Sequence, residues 1–234
     1  MSEFRLKGKH YVVTGALGSL GYSLSLRLVD AGARVTMVDL AESIEGREPP
    51  KGSLLLGGVD LTNEEAVEKT FKVSKAKLGT IDGLINIAGG FSWEPIKGGT
   101  LATWDRMYQM NLRSAVVACS VVLPYLSKSN NGAIVNIGAA AAQKAALGMG
   151  AYTASKSGVA RLTESLAEEL KLEKVRVNAV LPSIIDTAAN RVNMPDEDFS
   201  RWVKVEELCA VIEFLLSDAA SAVTGACVPV IGKV

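Results

Sequence analysis

One histidine, His10, stands in a chain of 234 residues, so neither a histidine-based metal cluster nor a Ser-His-Asp triad can be assembled. Cysteine is nearly as scarce. Cys119, Cys209 and Cys227 are odd in number, far apart and each in an apolar context. That usage fits buried thiols in a reducing compartment and argues against a disulfide framework. An excess of one charge is missing too: Lys plus Arg and Asp plus Glu are 25 each. No net field therefore draws the chain to nucleic acid or to an anionic membrane. Long hydrophobic runs are also lacking. The opening MSEFRLKGKH has no apolar core of signal-peptide length, and no later segment reaches about 18 uninterrupted apolar residues. The expectation is a soluble, cytoplasmic protein without a metal, whose partner is a small molecule.

What the chain does have is apolar content, 48% hydrophobic, enough for one sizeable core. A single domain over 1–234 is expected, since there is no internal repeat, low-complexity tail or linker. Short β-branched runs alternate with longer amphipathic stretches, the pattern of βαβ units and a parallel sheet. Strands are expected near 9–14, 34–39, 53–58, 82–87, 132–138, 175–181 and 226–231. Helices are expected near 19–31, 63–77, 101–127, 151–171 and 205–217. The fold class is thus α/β, with about seven strands in a parallel sheet and helices between them. Two links break the alternation. The stretch 40–52, LAESIEGREPPKG, leaves room for at most a turn of helix. The stretch 182–204 is polar, punctuated by proline and long for a connector, the usual character of a functional loop.

The segment YVVTGALGSLG runs from a strand through a glycine-rich turn into an apolar helix. Backbone N–H groups of Gly15, Gly18, Ser19, Leu20 and Gly21, with the helix N-terminus, can face a pyrophosphate. Asp39 ends the next strand 24 positions after Gly15, in the range of a ribose-binding carboxylate. Its charge would accept ribose hydroxyls and repel a 2'-phosphate, and no Lys or Arg occupies the turn, so NAD(H) is expected rather than NADP(H). Asp60 either reaches the adenine edge or caps the helix expected from 63.

Tyr152 and Lys156, at i and i+4, share one helix face. A phenol with ordinary pKa near 10 is a poor base at neutral pH, and a neighbouring ammonium is expected to lower it. The combination of TGALGSLG, NIAG (86–89), NLRS (111–114), YTASK (152–156) and LPSIIDT (181–187), in this order and spacing, resembles the short-chain dehydrogenase/reductase family over essentially the whole chain. The resemblance implies a single doubly wound Rossmann-like domain with a seven-stranded parallel sheet and helices on both faces, a bound nicotinamide dinucleotide, and a homodimer or homotetramer built through the two long helices. It implies Tyr152 as general acid/base, Lys156 lowering its pKa and holding the nicotinamide ribose, and Asn111 ordering a water of the proton relay. It further implies that Asn86, Ala88 and Gly89 support the adenine side, and that Ile185 and Thr187 contact the carboxamide.

Three positions depart from the family pattern. The central glycine of the phosphate turn is Ser19, with Gly18 one place earlier, and Ser183 stands where a glycine commonly follows Pro182. The family's catalytic serine, 13 residues before the tyrosine, is here Ala139, and Gly138 before it has no hydroxyl either. Losing one such donor costs about 3 kcal/mol of transition-state stabilisation. Gln143 could substitute or be a solvent-exposed loop residue; the substrate could do without the donor; or catalysis could be lost, leaving an NAD-binding sensor or structural subunit. The segment DTAANRVNMPDEDFSRW (186–202) is similar to dihydropteridine reductase, a branch that works without the serine on a conjugated C=N ring. Phe91 and Trp93 are expected near the mouth of the site, either facing a planar ring or packing as a lid.

Overall fold

The computed structural model describes residues 6–43, 48–126 and 131–234. The abbreviated crossover expected at 40–52 therefore lies partly outside the described residues, as does the last residue of the helix expected to end at 127. In chain order the main elements begin with β1 (His10–Thr14), α1 (Ser19–Asp30), β2 (Arg34–Val38), β3 (Leu54–Leu56), α2 (Glu64–Leu78) and β4 (Gly83–Asn86). There follow α3 (Leu101–Met107), α4 (Ser114–Leu126), β5 (Gly132–Ile137), α5 (Gly150–Leu170) and β6 (Val175–Pro182). The chain then forms β7 (Ile185–Asp186), α6 (Ala188–Asn193), β8 (Val203–Lys204), α7 (Val205–Leu216) and β9 (Cys227–Val230).

Seven strands form one parallel sheet in the order β3-β2-β1-β4-β5-β6-β9. Side chains alternate across it, as the pleat requires. Val13, Val35, Met37, Ile85 and Val135 pack with Leu24 and Leu28 of α1 and Leu208 and Ile212 of α7. Val12, Val38, Leu84, Ile134 and Val177 pack with Phe71 of α2, Val122 of α4 and Leu166 of α5. Strands buried on both faces read as near-continuous β-branched runs, which is why they were legible. The lone histidine belongs to this framework: His10 is fully buried, with its ring nitrogens on Gly79 O and Thr36 Oγ1.

The strand order reverses between β1 and β4, and in such a sheet the crevice at the carboxyl ends beside that reversal is where ligands sit. Two regions differ from the expected outline. The helix expected to run unbroken from 101 is widened into a π turn at Tyr108–Arg113, between α3 and α4. The long connector is folded: β7 pairs with β8, Asp186 forms a two-point ion pair with Arg191, and Arg191 lies over the Phe199 ring. Phe199 packs in turn on Trp202, which is only 4% exposed.

Candidate active site

A cleft of about 880 Å³ opens at the carboxyl ends of the strands. Its floor is the turn after β1. Gly15 has φ +62° and a Cβ there would stand 2.7 Å from Ala88 N; a Cβ on Gly21 would stand 2.2 Å from Gly15 O. Only glycine permits both approaches. Gly18, Ser19 and Leu20 complete the turn and line the cleft. At the start of α1, Gly18 offers no side-chain cap and the first turn holds no acidic residue. By contrast, α2 has Asn63 accepting from Ala66 N and two glutamates in its first turn. The free N–H groups and positive end of α1 are thus left facing the cleft, a ready anion site.

Asp39 lines the same cleft, with Oδ2 accepting from Leu17 N at 2.9 Å and Oδ1 from Ala41 N at 3.1 Å. It therefore shapes the glycine turn as well as presenting a charge. Asp60 also lines the cleft, but its carboxylate accepts from the Thr62 N–H and hydroxyl; the cap of α2 is Asn63, three residues later. Ala88 and Gly89 form the wall after β4, held by Thr14 Oγ1, which accepts from Ile87 N and Ala88 N. Asn86 does not reach the cleft. Its side chain, 5% exposed, donates to Asn136 Oδ1 and Cys119 Sγ inside the sheet layer, because the strand's alternation turns it inward.

On α5, Tyr152 and Lys156 both line the cleft, opposite Ile185 and Thr187 from the folded connector. Lys156 is buried, donates to Ile137 O at 2.7 Å, and has its pKa pushed down to about 8 by burial. The expected lowering of the tyrosine is not what this geometry gives. Burial pushes the Tyr152 phenol upward, and the ammonium donates to the β5 carbonyl.

The Asn111 side chain is committed to protein partners. It is 1% exposed within the π turn; Oδ1 accepts from Gly90 N at 2.9 Å, and Nδ2 donates to Gly90 O and Ser155 Oγ, each at 3.0 Å. Ser155 Oγ donates to Tyr152 O. Both amide hydrogens are spent, so Asn111 ties the segment after β4 to the turn carrying Tyr152. π turns recur where a functional side chain must be re-aimed.

Phe91 reaches the cleft and packs edge-on with Tyr152, ring centroids 5.0 Å apart. Trp93 does not; its ring lies against Gly148. Ala139 is buried at the end of β5, and Gln143 ends a short 3-10 turn in solvent, leaving neither among the cleft-lining residues. Sequence reasoning missed Gly90, Gln109, Met110 and Asn190, which do line the cleft. They carry no motif of their own and arrive through the π turn and the folded connector. Among the described residues no group of three or more His, Cys, Asp or Glu could hold a metal ion, and no helix is long and apolar enough to cross a membrane.

A family model described as short chain dehydrogenase matches residues 9–198. The chain belongs to the short-chain dehydrogenase/reductase family. It is 31% identical to the 3-oxoacyl-(acyl-carrier-protein) reductase FabG of Thermotoga maritima, covering 94% of this chain and 95% of that protein. It is 32% identical to L-xylulose reductase of Bos taurus, covering 98% of each. Among solved structures it is similar to NAD+-bound xylitol dehydrogenase, with a TM-score of 0.89, 28% identity and coverage of 97% of this chain and 99% of that one. As a short-chain dehydrogenase/reductase the protein is an oxidoreductase of the nicotinamide-dependent kind, and its Rossmann-like sheet is that of the family.

Proposed function

We propose that the protein is an NAD(H)-dependent oxidoreductase moving a hydride between the nicotinamide and a small carbonyl or alcohol substrate, with Tyr152 as proton donor and acceptor. The observation that carries this reading is one cleft holding both the uncapped α1 N-terminus under a glycine turn and the Tyr152/Lys156 pair. Gly15, Gly18, Ser19, Leu20 and Gly21 would hold the pyrophosphate, Asp39 the adenosine ribose, and Asp60, Ala88 and Gly89 the adenine side. Ile185 and Thr187 would meet the carboxamide. Each Asp39 oxygen accepts one protein N–H and keeps capacity for ribose hydroxyls, while its charge opposes a 2'-phosphate. That balance supports NAD(H) over NADP(H).

Bound there, the dinucleotide supplies or accepts the hydride. In reduction the substrate's C=O π bond opens, a C–H bond forms, and the Tyr152 O–H gives its proton to the oxygen. Lys156 uses one of its three N–H groups on Ile137 O and has two left for the phenolate and the nicotinamide ribose. Asn111 fixes the geometry of that exchange through Gly90 and Ser155. The assembly is a homodimer or homotetramer through the π-widened helix and α5.

A second reading rests on the end of β5. A Cβ on Gly138 would stand 2.4 Å from Leu181 Cδ2, and Ala139 presents a buried methyl, so neither position brings a hydroxyl. An acceptor that needs no such donor suits this site, and a conjugated C=N ring protonated by Tyr152, as in dihydropteridine reductase, is one.

The test is NADH oxidation with simple ketones, diketones and quinonoid dihydropteridine. Tyr152→Phe should lower turnover by about 10²–10⁴-fold with NADH affinity unchanged. Ala139→Ser should raise turnover of simple ketones if its hydroxyl reaches past Gly138, which lines the cleft; no gain would mean that another group or the substrate already fills that role. Wild type and Tyr152→Phe equally inactive on every substrate, with NADH bound, would instead mark a silent NAD-binding subunit.

A further inference from the structure

We propose that Phe91 is the specificity-determining wall of this active site, positioned by Trp93, and that the pair selects a flat, conjugated ring carbonyl as substrate; this rests on the oxidoreductase reading above. The segment from Gly90 to Glu94 is tied down almost residue by residue. Asn111 holds both backbone groups of Gly90. Arg106 Nη2 donates to Ser92 Oγ at 2.8 Å, and Glu94 N donates to Gly148 O at 2.8 Å. The Trp93 ring fills the space over Gly148, whose φ is +72°: a Cβ there would stand 2.4 Å from Cε2 and 2.5 Å from Nε1. The 148 turn is therefore built around the indole.

Phe91 is the side chain this tethering presents to the cleft. Its ring stands at 78° to that of Tyr152, yet 59% of the residue remains exposed. A large apolar ring fixed beside the reacting phenol, with most of its surface uncovered, is a contact surface for something that enters the cleft. Pro182 adds a second apolar side chain to the cleft, and Asn190 Nδ2 is engaged with Ile185 O at 2.8 Å. Aromatic rings gain most from offset or edge-to-face contact with another ring, which Phe91 offers to a flat substrate and not to a short aliphatic one. At the carbonyl end Gly138 and Ala139 donate nothing from a side chain, so the carbonyl must be activated within the substrate itself, as a second carbonyl beside it does in a flat 1,2-dicarbonyl. Wall and missing donor select the same chemical class.

The experiment is steady-state reduction by NADH of two flat conjugated 1,2-dicarbonyls, acenaphthenequinone and isatin, and two saturated ketones, cyclohexanone and butanone. Wild type should prefer the flat pair. Phe91→Ala should lower kcat/KM for that pair about tenfold, chiefly through KM, and change the saturated pair less than about twofold, with NADH Kd unaltered. Phe91→Tyr should retain the preference. Trp93→Ala should shift the ratio of the two classes in the same direction, and Trp93→Phe should restore it, an outcome that loss of stability alone would not produce. Equal losses for both classes, or a wild-type preference for butanone, would overturn the proposal. If no substrate turns over, the oxidoreductase reading fails and the wall is read separately. Calorimetric binding of isatin and cyclohexanone to the NADH-loaded wild-type and Phe91→Ala proteins must then still differ by class, and absence of a difference would overturn it.

Discussion

Lys156 carries the clearest electrostatic strain at the residue scale, an ammonium taken out of water with one carbonyl as its partner at 2.7 Å. Its pKa falls from 10.5 to about 8 because burial disfavours the charged form. Between those values the unfolded chain binds the proton that the folded chain has released, so stability should rise with pH across that window and be lowest below it. Lys156→Met removes the titrating group. From about pH 7.5 to about pH 10 wild type should gain on the order of 2 kcal/mol relative to Lys156→Met in urea unfolding. A flat difference would mean that the ammonium is better solvated than its surroundings suggest. On the proposed mechanism the position is held for chemistry at a cost in stability, as is common where a charge must sit beside a reacting group.

At the scale of elements, α1 must be fixed firmly because its N-terminus forms the floor of the cleft. Much of that fixing is apolar, through Leu24 and Leu28 against the sheet and α7. One polar contact joins the two helices: Arg27 Nη2 reaches Glu213 Oε2 at 2.5 Å, with the Glu213 side chain 2% exposed. Removing the cation leaves a buried carboxylate uncompensated, which is costly even where the pair itself contributes little. Arg27→Leu should therefore destabilise the protein by about 2 kcal/mol, toward the low end because Arg27 is partly exposed, and adding Glu213→Leu should recover most of it. Denaturant unfolding of the four proteins in this cycle measures both numbers. The elements themselves were legible from alternation, since doubly buried strands and amphipathic helices announce themselves in periodicity. The glycine turn, Asp39, Tyr152 and Lys156 were legible because each sits at a strand end or on a helix face that sequence spacing defines. Asn86, Trp93, Gln143 and the partners of Asn111 were not. Their roles depend on a π turn, on which face of a strand points inward, and on a contact with Gly148 that is distant in sequence.

For the whole molecule, the balance of 25 cationic and 25 anionic residues leaves no strong self-repulsion to keep copies apart. Two large apolar side chains, about two turns apart, remain exposed on the π-widened helix: Tyr108 at 49% and Val116 at 41%. Such a surface on one face of a helix is what an isologous interface uses, because each copy offers the other the same patch. The proposed homodimer or homotetramer would cover it. A charge placed there should oppose association without disturbing the core, since Val116 does not belong to either buried cluster. Val116→Asp is expected to shift sedimentation-velocity mass toward the monomer at micromolar concentration, while the circular dichroism spectrum is retained. The active site should feel this at a distance. The same helix carries Asn111, whose amide holds Gly90 and, through Ser155, the Tyr152 turn, so a dissociated subunit should lose kcat more than NADH affinity. If Val116→Asp remains fully associated, the interface lies on another face, and the exposed residues of the π-widened helix serve some other contact.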